Sequence, residues 1–482
     1  MFWRGLLGYL PANIVQGVVG VLTLLVFTRL LTAEQFGHYA LAFAVFSLSH
    51  VAVFTWVEAA MARFWAAQPT PEAMRAHYAT LYRTFWLLCL AYIPIAGIAV
   101  WAWPLETPLK IAVAVGLAGV PIRSAFRLLQ ERQRAEGAVI SAAGLDMAVT
   151  IGGFIVGLAA ALMGLGGAAP LVGLAVAPFL VGLIFTPMEA VKARGGAYDP
   201  ARARDYAVYG YPIAASLILA LVLSSTDRLL LAAFLDEAAV GAYHAGYSLA
   251  NRTLDVIFIW LGAAGGPAMV MALERGGQPA LREAAREQGA TFLLIALPAA
   301  AGLALVAQPL SALVIGESLR DQAAAITPLI AVSALLAGLT TYYFHQAFTL
   351  GRRTLLLLAA MAVPAGANVV LNLLLIPPMG VMGAALATAL SFGVGLVASI
   401  ALGRRAIALP MPWNALVRCG VATLVMTGAV LLVPAFGGLP ELAAKAAVGA
   451  AVYGLAAWLL DAAGVRGHGS RVLKGLQARM AA

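Results

Sequence analysis

The sequence is poor in charge. Only 11% of its 482 residues are Asp, Glu, Lys or Arg, whereas soluble domains carry roughly 25%. Hydrophobic residues make up 62% of the chain, and the mean hydropathy is +0.92. A water-exposed surface cannot be built from so few charges, which excludes a soluble enzyme, a nucleic-acid-binding protein and a disordered scaffold. The sequence therefore predicts an integral membrane protein.

Cysteine is also scarce. The two cysteines, Cys89 and Cys419, lie in or beside apolar segments, which excludes a disulfide framework and a cysteine-based metal site. No Walker motif occurs, so we expect no ATP hydrolysis by this chain, no enzymatic activity and no cofactor. The N-terminal segment shows no obvious cleavage site for a signal peptidase, and we interpret it as the first permanent helix.

Long apolar runs dominate the sequence instead. A helix needs about 20 apolar residues to cross a hydrocarbon core of about 30 Å. About fourteen runs of that kind occur, at residues 9–31, 39–62, 81–103, 108–129, 139–163, 169–190, 207–235, 240–265, 290–315, 324–350, 354–376, 380–402, 415–436 and 440–460. The predicted fold is an all-α polytopic membrane protein.

Basic residues fall mainly on one side of these predicted helices. If the N-terminus is cytoplasmic, the outer side receives five of the 30 lysines and arginines, namely Arg29, Lys110, Arg228, Arg320 and Lys445. Arg252 lies within a helix, and the others fall on the cytoplasmic side, including Arg471, Lys474 and Arg479 of a basic tail. This asymmetry predicts a multi-pass membrane protein with both termini in the cytoplasm. The net charge of +9 then reflects basic loops beside anionic lipid, not nucleic acid.

An internal repeat is visible. Thr28-Arg29-Leu30-Leu31 is followed by Phe36-Gly37-His38-Tyr39, and Thr226-Asp227-Arg228-Leu229-Leu230 is followed by Val240-Gly241-Ala242-Tyr243. Helices 1–6 and 7–12 therefore look duplicated as a parallel repeat, with a pseudo-twofold axis along the membrane normal. The predicted divisions are an N-terminal bundle at 1–206, a C-terminal bundle at 207–403, and two further helices with the basic tail at 404–482.

The repeated segments resemble a known family. Residues 27–41 are similar to the helix 1–2 junction of the polysaccharide-transporter (O-antigen and exopolysaccharide) flippases, a branch of the multidrug/oligosaccharidyl-lipid/polysaccharide exporter superfamily. Residues 226–231 and 240–243 are similar to the second-half counterpart. The resemblance implies a bacterial inner-membrane protein that translocates a polyprenyl-diphosphate-linked oligosaccharide from the cytoplasmic to the outer leaflet by alternating access, for lipopolysaccharide or exopolysaccharide synthesis. It also implies membrane lipids and the polysaccharide polymerase and chain-length machinery as partners.

Predicted helix 8 carries the clearest polar face. At 100° per residue, one arc holds His244, Tyr247, Ser248, Asn251, Arg252 and Asp255. Polar side chains on one face of a membrane helix indicate an aqueous cavity. Arg252 is the candidate for binding the diphosphate, because a guanidinium pairs with phosphate oxygens in a bidentate manner. Alternatively, Arg252 and Asp255 merely neutralise each other.

Predicted helices 1 and 2 provide further cavity candidates. Helix 2 places His50 and Glu58 on one face, and helix 1 places Asn13 and Gln16 on one stripe. Glu58 could be a proton or cation site, or could pair with a nearby arginine. Arg29 lies roughly opposite the helix 1 stripe, so it could either line the cavity or extend to the membrane interface.

Weaker candidates lie in four other predicted helices. Arg123, Arg127 and Arg134 form a stripe at the cytoplasmic end of helix 4, which could capture the diphosphate or simply anchor the helix. Tyr342 and His345 in helix 10 suit contact with a sugar. Asp146 in helix 5 could be an ion site or a packed, protonated or paired residue. Asn368 and Asn372 in helix 11 could line the cavity or form hydrogen bonds between helices.

Two rival functions remain open on the sequence alone. A multidrug–cation antiporter of the same superfamily would use Glu58, Asp146 and Asp255 as coupling sites. A membrane-embedded glycan polymerase or ligase has less support, because no long external loop carries clustered catalytic residues. Either H⁺ or Na⁺ could serve as the coupling ion.

Overall fold

The computed structural model describes residues 2–467, apart from the side chains of residues 2–10, 263 and 264. Every regular element in the described range is helical, which confirms the predicted all-α fold. Arg471, Lys474 and Arg479 of the predicted basic tail lie outside the described residues.

Fifteen α-helices follow one another along the described chain. They are α1 (Phe2–Leu30), α2 (Ala33–Val53), α3 (Thr55–Trp65), α4 (Pro71–Ala102), α5 (Thr107–Ala135), α6 (Val139–Leu162), α7 (Ala169–Lys192), α8 (Pro200–Phe234), α9 (Glu237–Leu305), α10 (Ala307–Val314), α11 (Glu317–Leu339), α12 (Gln346–Leu350), α13 (Thr354–Gly403), α14 (Trp413–Leu431) and α15 (Gly438–Leu459). Short 3₁₀ turns occupy Gly166–Ala168 and Ala462–Gly464, and a π-helical turn occupies Thr340–Phe344.

Two of these helices are each long enough for two membrane crossings, with 69 residues in α9 and 50 in α13. The backbone of α9 reverses at Gly277 (φ 64°, ψ −156°), and that of α13 reverses at Gly380 (φ 60°, ψ −136°). Glycine populates this region without the steric clash that a Cβ would cause. Twelve segments of the described chain are long and apolar enough to cross a membrane. When α9 and α13 are each counted twice, the number agrees with the fourteen predicted crossings.

The described chain divides into two compact units, with the division between His244 and Ala245. In the first unit α6 packs against α1 and α7, and α5 packs against α2, α3 and α7. In the second unit α11 packs against α10 and α13, and α14 packs against α15. The predicted boundaries at 206 and 403 follow the sequence repeat and stay a prediction.

The repeated glycines mark a tight helix crossing inside the first unit. A Cβ on Gly37 would overlap the carbonyl oxygen of Glu237, and a Cβ on Gly241 would overlap that of Ala33. Ala33 and Glu237 are the first residues of α2 and α9, so each glycine meets the start of the other helix. Small residues let helix backbones approach this closely. The crossing explains physically why the motif repeats its glycine.

Candidate functional site

A buried carboxylate lies at a break between two helices. α2 ends at Val53 and α3 begins at Thr55, whereas the sequence predicted one continuous helix over 39–62. The break places His50 Nε2 2.9 Å from Glu58 Oε1. Ser124 Oγ of α5 donates a hydrogen bond of 2.8 Å to the same oxygen, and Glu58 is only 7% exposed. The structure therefore brings His50 and Glu58 together, with Ser124 as a partner that sequence reasoning missed.

A cation and a second carboxylate lie near this glutamate. The half-buried Arg123 guanidinium interacts electrostatically with the carboxylates of Asp146 and Glu58, and it lies 5.8 Å from the centre of the Phe126 ring. Asp146 is buried and accepts a hydrogen bond from Gln16 Nε2 of α1. We call this group the Glu58 cluster; it consists of Gln16, His50, Glu58, Arg123, Ser124 and Asp146. Asn13 lies one turn before Gln16 and is exposed.

A second group of charged residues lies at the crossing of α2 and α9. Arg228 Nε donates to His244 Nδ1 over 3.1 Å, and Arg228 Nη1 donates to the Ser224 carbonyl over 2.6 Å. Tyr243 Oη donates a hydrogen bond to Asp227. The His244 ring lies 5.6 Å and 5.8 Å from the rings of Phe36 and Tyr39. His244 is therefore held within a packed crossing of the first unit.

The rest of the predicted helix 8 face lies in the second unit. Ser248 is buried and Asn251 half-buried, whereas Arg252 and Asp255 are exposed. Asp255 interacts electrostatically with Arg252 and with Tyr342. These three predicted site residues are thus brought near one another.

The Tyr342 segment has an unusual backbone. Thr340–Phe344 forms a single π-helical turn, a feature frequent at functional sites. Gln288 Nε2 donates a hydrogen bond of 3.3 Å to the Tyr342 carbonyl. His345 Nε2 lies 3.2 Å from Ser399 Oγ of α13. The sequence predicted the cluster of Tyr342 and His345 but carried no signal for the π turn.

Three of the predicted arginines make hydrogen bonds within their own helices. Arg29 is exposed, and its Nη1 donates to the Leu25 carbonyl over 2.8 Å. Arg127 Nη1 donates to Gln130 Oε1 over 3.3 Å, and Arg134 Nη1 donates to Glu131 Oε1 over 2.6 Å. Local bonds of this kind position a helix end. A role of these arginines in binding the substrate stays a prediction.

Sequence reasoning also missed a larger ionic group, which we call the Arg132 cluster. Its members are Tyr82, Arg132, Glu136, Glu189 and Lys192. Arg132 is 4% exposed, its Nε lies 2.7 Å from Glu189 Oε2, and its Nη1 pairs with Glu136. Tyr82 Oη donates to Glu189, and Lys192 Nζ lies 3.1 Å from Glu136 Oε1. Burial alone would raise the pKa of the Glu136 carboxyl, but hydrogen bonds from Arg132 and Lys192 hold that pKa below its usual value. The group joins α4, α5 and α7, which lie far apart in sequence.

Two buried asparagines lie in α13. Asn368 and Asn372 are fully buried, and Asn372 Nδ2 donates to the Asn368 carbonyl over 2.8 Å. Within residues 2–467, no three His, Cys, Asp or Glu side chains are placed to hold a metal ion together.

Comparison with known proteins places this geometry in context. Residues 26–324 match a family described as "Polysaccharide biosynthesis protein". No curated protein matches the chain significantly.

Solved structures share the fold at low sequence identity. A lipid II flippase, MurJ in an inward closed conformation, is 12% identical, with a TM-score of 0.77 over 94% of this chain and 98% of that one. An inward-facing multidrug resistance transporter of the MATE family is 14% identical, with a TM-score of 0.64 over 82% and 93% of the two chains. A transporter of the same superfamily from Pyrococcus furiosus is 14% identical, with a TM-score of 0.51 over 83% and 92%.

Proposed function

The chain belongs to the polysaccharide biosynthesis protein family, and from that membership we propose that it is a flippase for a lipid-linked glycan. Its substrate is a polyprenyl-diphosphate-linked oligosaccharide, carried from the cytoplasmic to the outer leaflet of a bacterial inner membrane. Transport proceeds by alternating access. The product feeds the synthesis of lipopolysaccharide or exopolysaccharide, beside the polymerase and chain-length machinery.

The family match over residues 26–324 carries the proposal. The whole-chain likeness to a lipid II flippase supports it at the level of fold. A charge in the bilayer costs several kcal/mol unless it is solvated or paired. An arginine within a membrane-spanning helix therefore suits an anionic headgroup, which would pair with it. Arg123, Arg228 and Arg252 all lie in such helices. A guanidinium is well suited to bind a diphosphate.

Deletion of the gene in its native host tests the transport step. We expect polyprenyl-linked glycans to accumulate in the cytoplasmic leaflet and surface polysaccharide to disappear. Unchanged surface glycan would contradict the proposal.

Arg252→Ala tests the candidate headgroup ligand in the same strain. We expect this variant to insert normally and to fail to restore export, because Arg252 is an exposed cation inside a membrane-spanning helix. Arg275→Ala, an exposed arginine further along α9, is the matched control and should restore export. Wild-type polysaccharide levels with Arg252→Ala would show that Arg252 is not needed to bind the headgroup.

A multidrug–cation antiporter is the second candidate. The buried carboxylates Glu58 and Asp146 favour it, since intramembrane carboxylates often bind protons or cations. The fold shared with a MATE-family transporter is compatible with it. Under this alternative the deletion strain would keep its surface glycans and become sensitive to cationic drugs. The ion gradient that drug transport requires, of H⁺ or of Na⁺, would then identify the coupling ion.

A further inference from the structure

An apolar groove of about 720 Å³ lies between α4, α5 and α7 in the first unit. Its walls include Trp86, Ile93 and Leu183, and one end carries Arg83 and Glu189. A volume in the range of roughly 300–1,000 Å³ is typical of ligand sites. The groove therefore has the size and the polarity of a site for an amphipathic molecule.

The groove is separate from the Glu58 cluster. On α5 the groove is lined by Pro121, Ile122, Ala125, Phe126, Leu128 and Leu129. At 100° per residue, Arg123 and Arg127 point on average roughly 160° away from the mean direction of these six residues. The two arginines thus point away from the groove, and Phe126, whose ring lies 5.8 Å from the Arg123 guanidinium, borders both.

The part of the groove between Arg83 and Ile93 matches the depth of one leaflet. Arg83 and Ile93 are ten residues apart on α4, which corresponds to about 15 Å of helix. Half of a hydrocarbon core of about 30 Å has the same depth. A lipid whose headgroup lies at Arg83 would therefore extend its chain along the groove as far as the bilayer midplane.

The charges at the polar end leave one cation available. Glu189 is bound by Arg132 and Tyr82. Arg83 is exposed, and it has neither an ion pair nor a hydrogen bond from its side chain in the described part of the chain. Its guanidinium can pair with a phosphate in two hydrogen bonds.

We propose that this groove binds an anionic phospholipid of the cytoplasmic leaflet. The lipid phosphate pairs with Arg83, and one acyl chain lies against Trp86, Ile93 and Leu183. Bound there, the lipid neutralises Arg83 and fills the space between α4 and α7 on the side of α5 that faces away from Arg123.

Trp86 is 62% exposed and lines the groove, so its fluorescence reports occupancy. The purified full chain is placed in nanodiscs containing brominated phosphatidylglycerol or brominated phosphatidylcholine. The Trp86 signal is the difference between the wild type and Trp86→Phe. We expect phosphatidylglycerol to quench it with about fivefold higher apparent affinity, the gain typical of one basic residue beside an anionic lipid. Arg83→Gln should abolish this preference.

Arg75→Gln is the matched control, because Arg75 is exposed on the same helix, outside the groove, and pairs with Glu72 at 3.1 Å. It should retain the preference. Equal quenching by both lipids in the wild type, or an unchanged preference in Arg83→Gln, would overturn the proposal and leave ordinary bilayer contact as the explanation.

A second variant tests the groove without touching the charge. A Cβ on Gly182 meets only Thr186 Oγ1, at an ordinary contact distance of 3.7 Å, and Gly182 lines the groove, so Gly182→Leu should extend its side chain into the groove. We expect it to reduce quenching by both lipids. Gly97→Leu, at an open position of α4 outside the groove, should not. Undiminished quenching in Gly182→Leu would overturn the proposed location. Because these measurements need no transport, they stand apart from the test of the flippase.

Discussion

At the scale of single residues, the Glu58 cluster shows how a carboxylate is accommodated inside an apolar protein. Glu58 Oε1 lies 2.9 Å from His50 Nε2 and accepts a hydrogen bond of 2.8 Å from Ser124 Oγ. Leaving a buried acceptor without its donor costs about 1–3 kcal/mol. The partners of Glu58 therefore contribute to folding as well as to any role in transport.

Ser124→Ala should lower stability by about 1–3 kcal/mol, because Glu58 loses a buried donor. Thermal unfolding of the detergent-purified protein measures the effect. Ser391→Ala is the control: Ser391 is equally buried, but its hydroxyl bonds only to the Ala387 carbonyl of its own helix. Equal destabilisation by the two substitutions would show that the Ser124–Glu58 bond contributes nothing specific.

Glu136 gives a pH dependence with a defined sign. Its pKa is held below the usual value in the folded protein, so the stabilisation is complete above the ordinary carboxyl pKa and is lost as pH falls through the lowered pKa. The unfolding temperature of the wild type should exceed that of Glu136→Gln at neutral pH, and the two should converge in acid.

Glu72→Gln is the control for this comparison. Glu72 pairs with Arg75 on an exposed surface of α4, where ion pairs contribute little. A pH-independent difference between the wild type and Glu136→Gln would contradict the ionic origin of the effect.

At the scale of helices, the crossing of α2 and α9 depends on two glycines. A Cβ on Gly241 would overlap the Ala33 carbonyl oxygen and lie 3.1 Å from the Gly37 backbone nitrogen. Overpacking of this kind costs about 1–3 kcal/mol. Gly37 makes the equivalent contact with the Glu237 carbonyl oxygen of α9. The glycine of each repeat copy is therefore needed for the packing of the other copy.

Gly241→Ala should therefore lower the unfolding temperature and reduce export. Gly393→Ala should be neutral or stabilising by up to about 1 kcal/mol, because a Cβ at Gly393 meets nothing within 4 Å and alanine favours the helix. If Gly241→Ala were as stable as Gly393→Ala, the result would contradict the close approach of α2 and α9 at Gly241.

At the scale of the whole molecule, the orientation in the membrane is open to direct measurement. Both native cysteines are buried, so a single introduced cysteine can be labelled with little background. Ala197 lies in the exposed segment between α7 and α8, and Ala435 lies in the exposed segment between α14 and α15. The positive-inside rule predicts that Ala197→Cys is cytoplasmic and Ala435→Cys is external.

A membrane-impermeant maleimide on intact cells should label Ala435→Cys and not Ala197→Cys. Both variants should be labelled after the cells are permeabilised, which is the control for reactivity. The opposite pattern would invert the predicted topology and the predicted direction of transport.

The whole-chain fold does not by itself select a substrate. Both a lipid II flippase and a multidrug resistance transporter share it with this chain, at 12% and 14% identity. Selection must come from the side chains that the fold brings together, which is why the Arg252 and drug-sensitivity experiments separate the candidate functions.

Composition and periodicity by themselves determined the membrane class, the fourteen crossings and the repeated glycine motif. These features are local, because each apolar helix satisfies its own backbone hydrogen bonds and shows its length in the sequence. The family resemblance seen in residues 27–41, 226–231 and 240–243 is confirmed by the family match.

Only the tertiary structure decided which polar residues meet. The pairing of Glu58 with His50 and Ser124 depends on the helix break at Phe54 and on the packing of α5. The Arg132 cluster and the apolar groove that ends at Arg83 are each formed by residues of α4, α5 and α7. A sequence pattern reports the face of one helix, whereas a site between helices depends on which faces pack together.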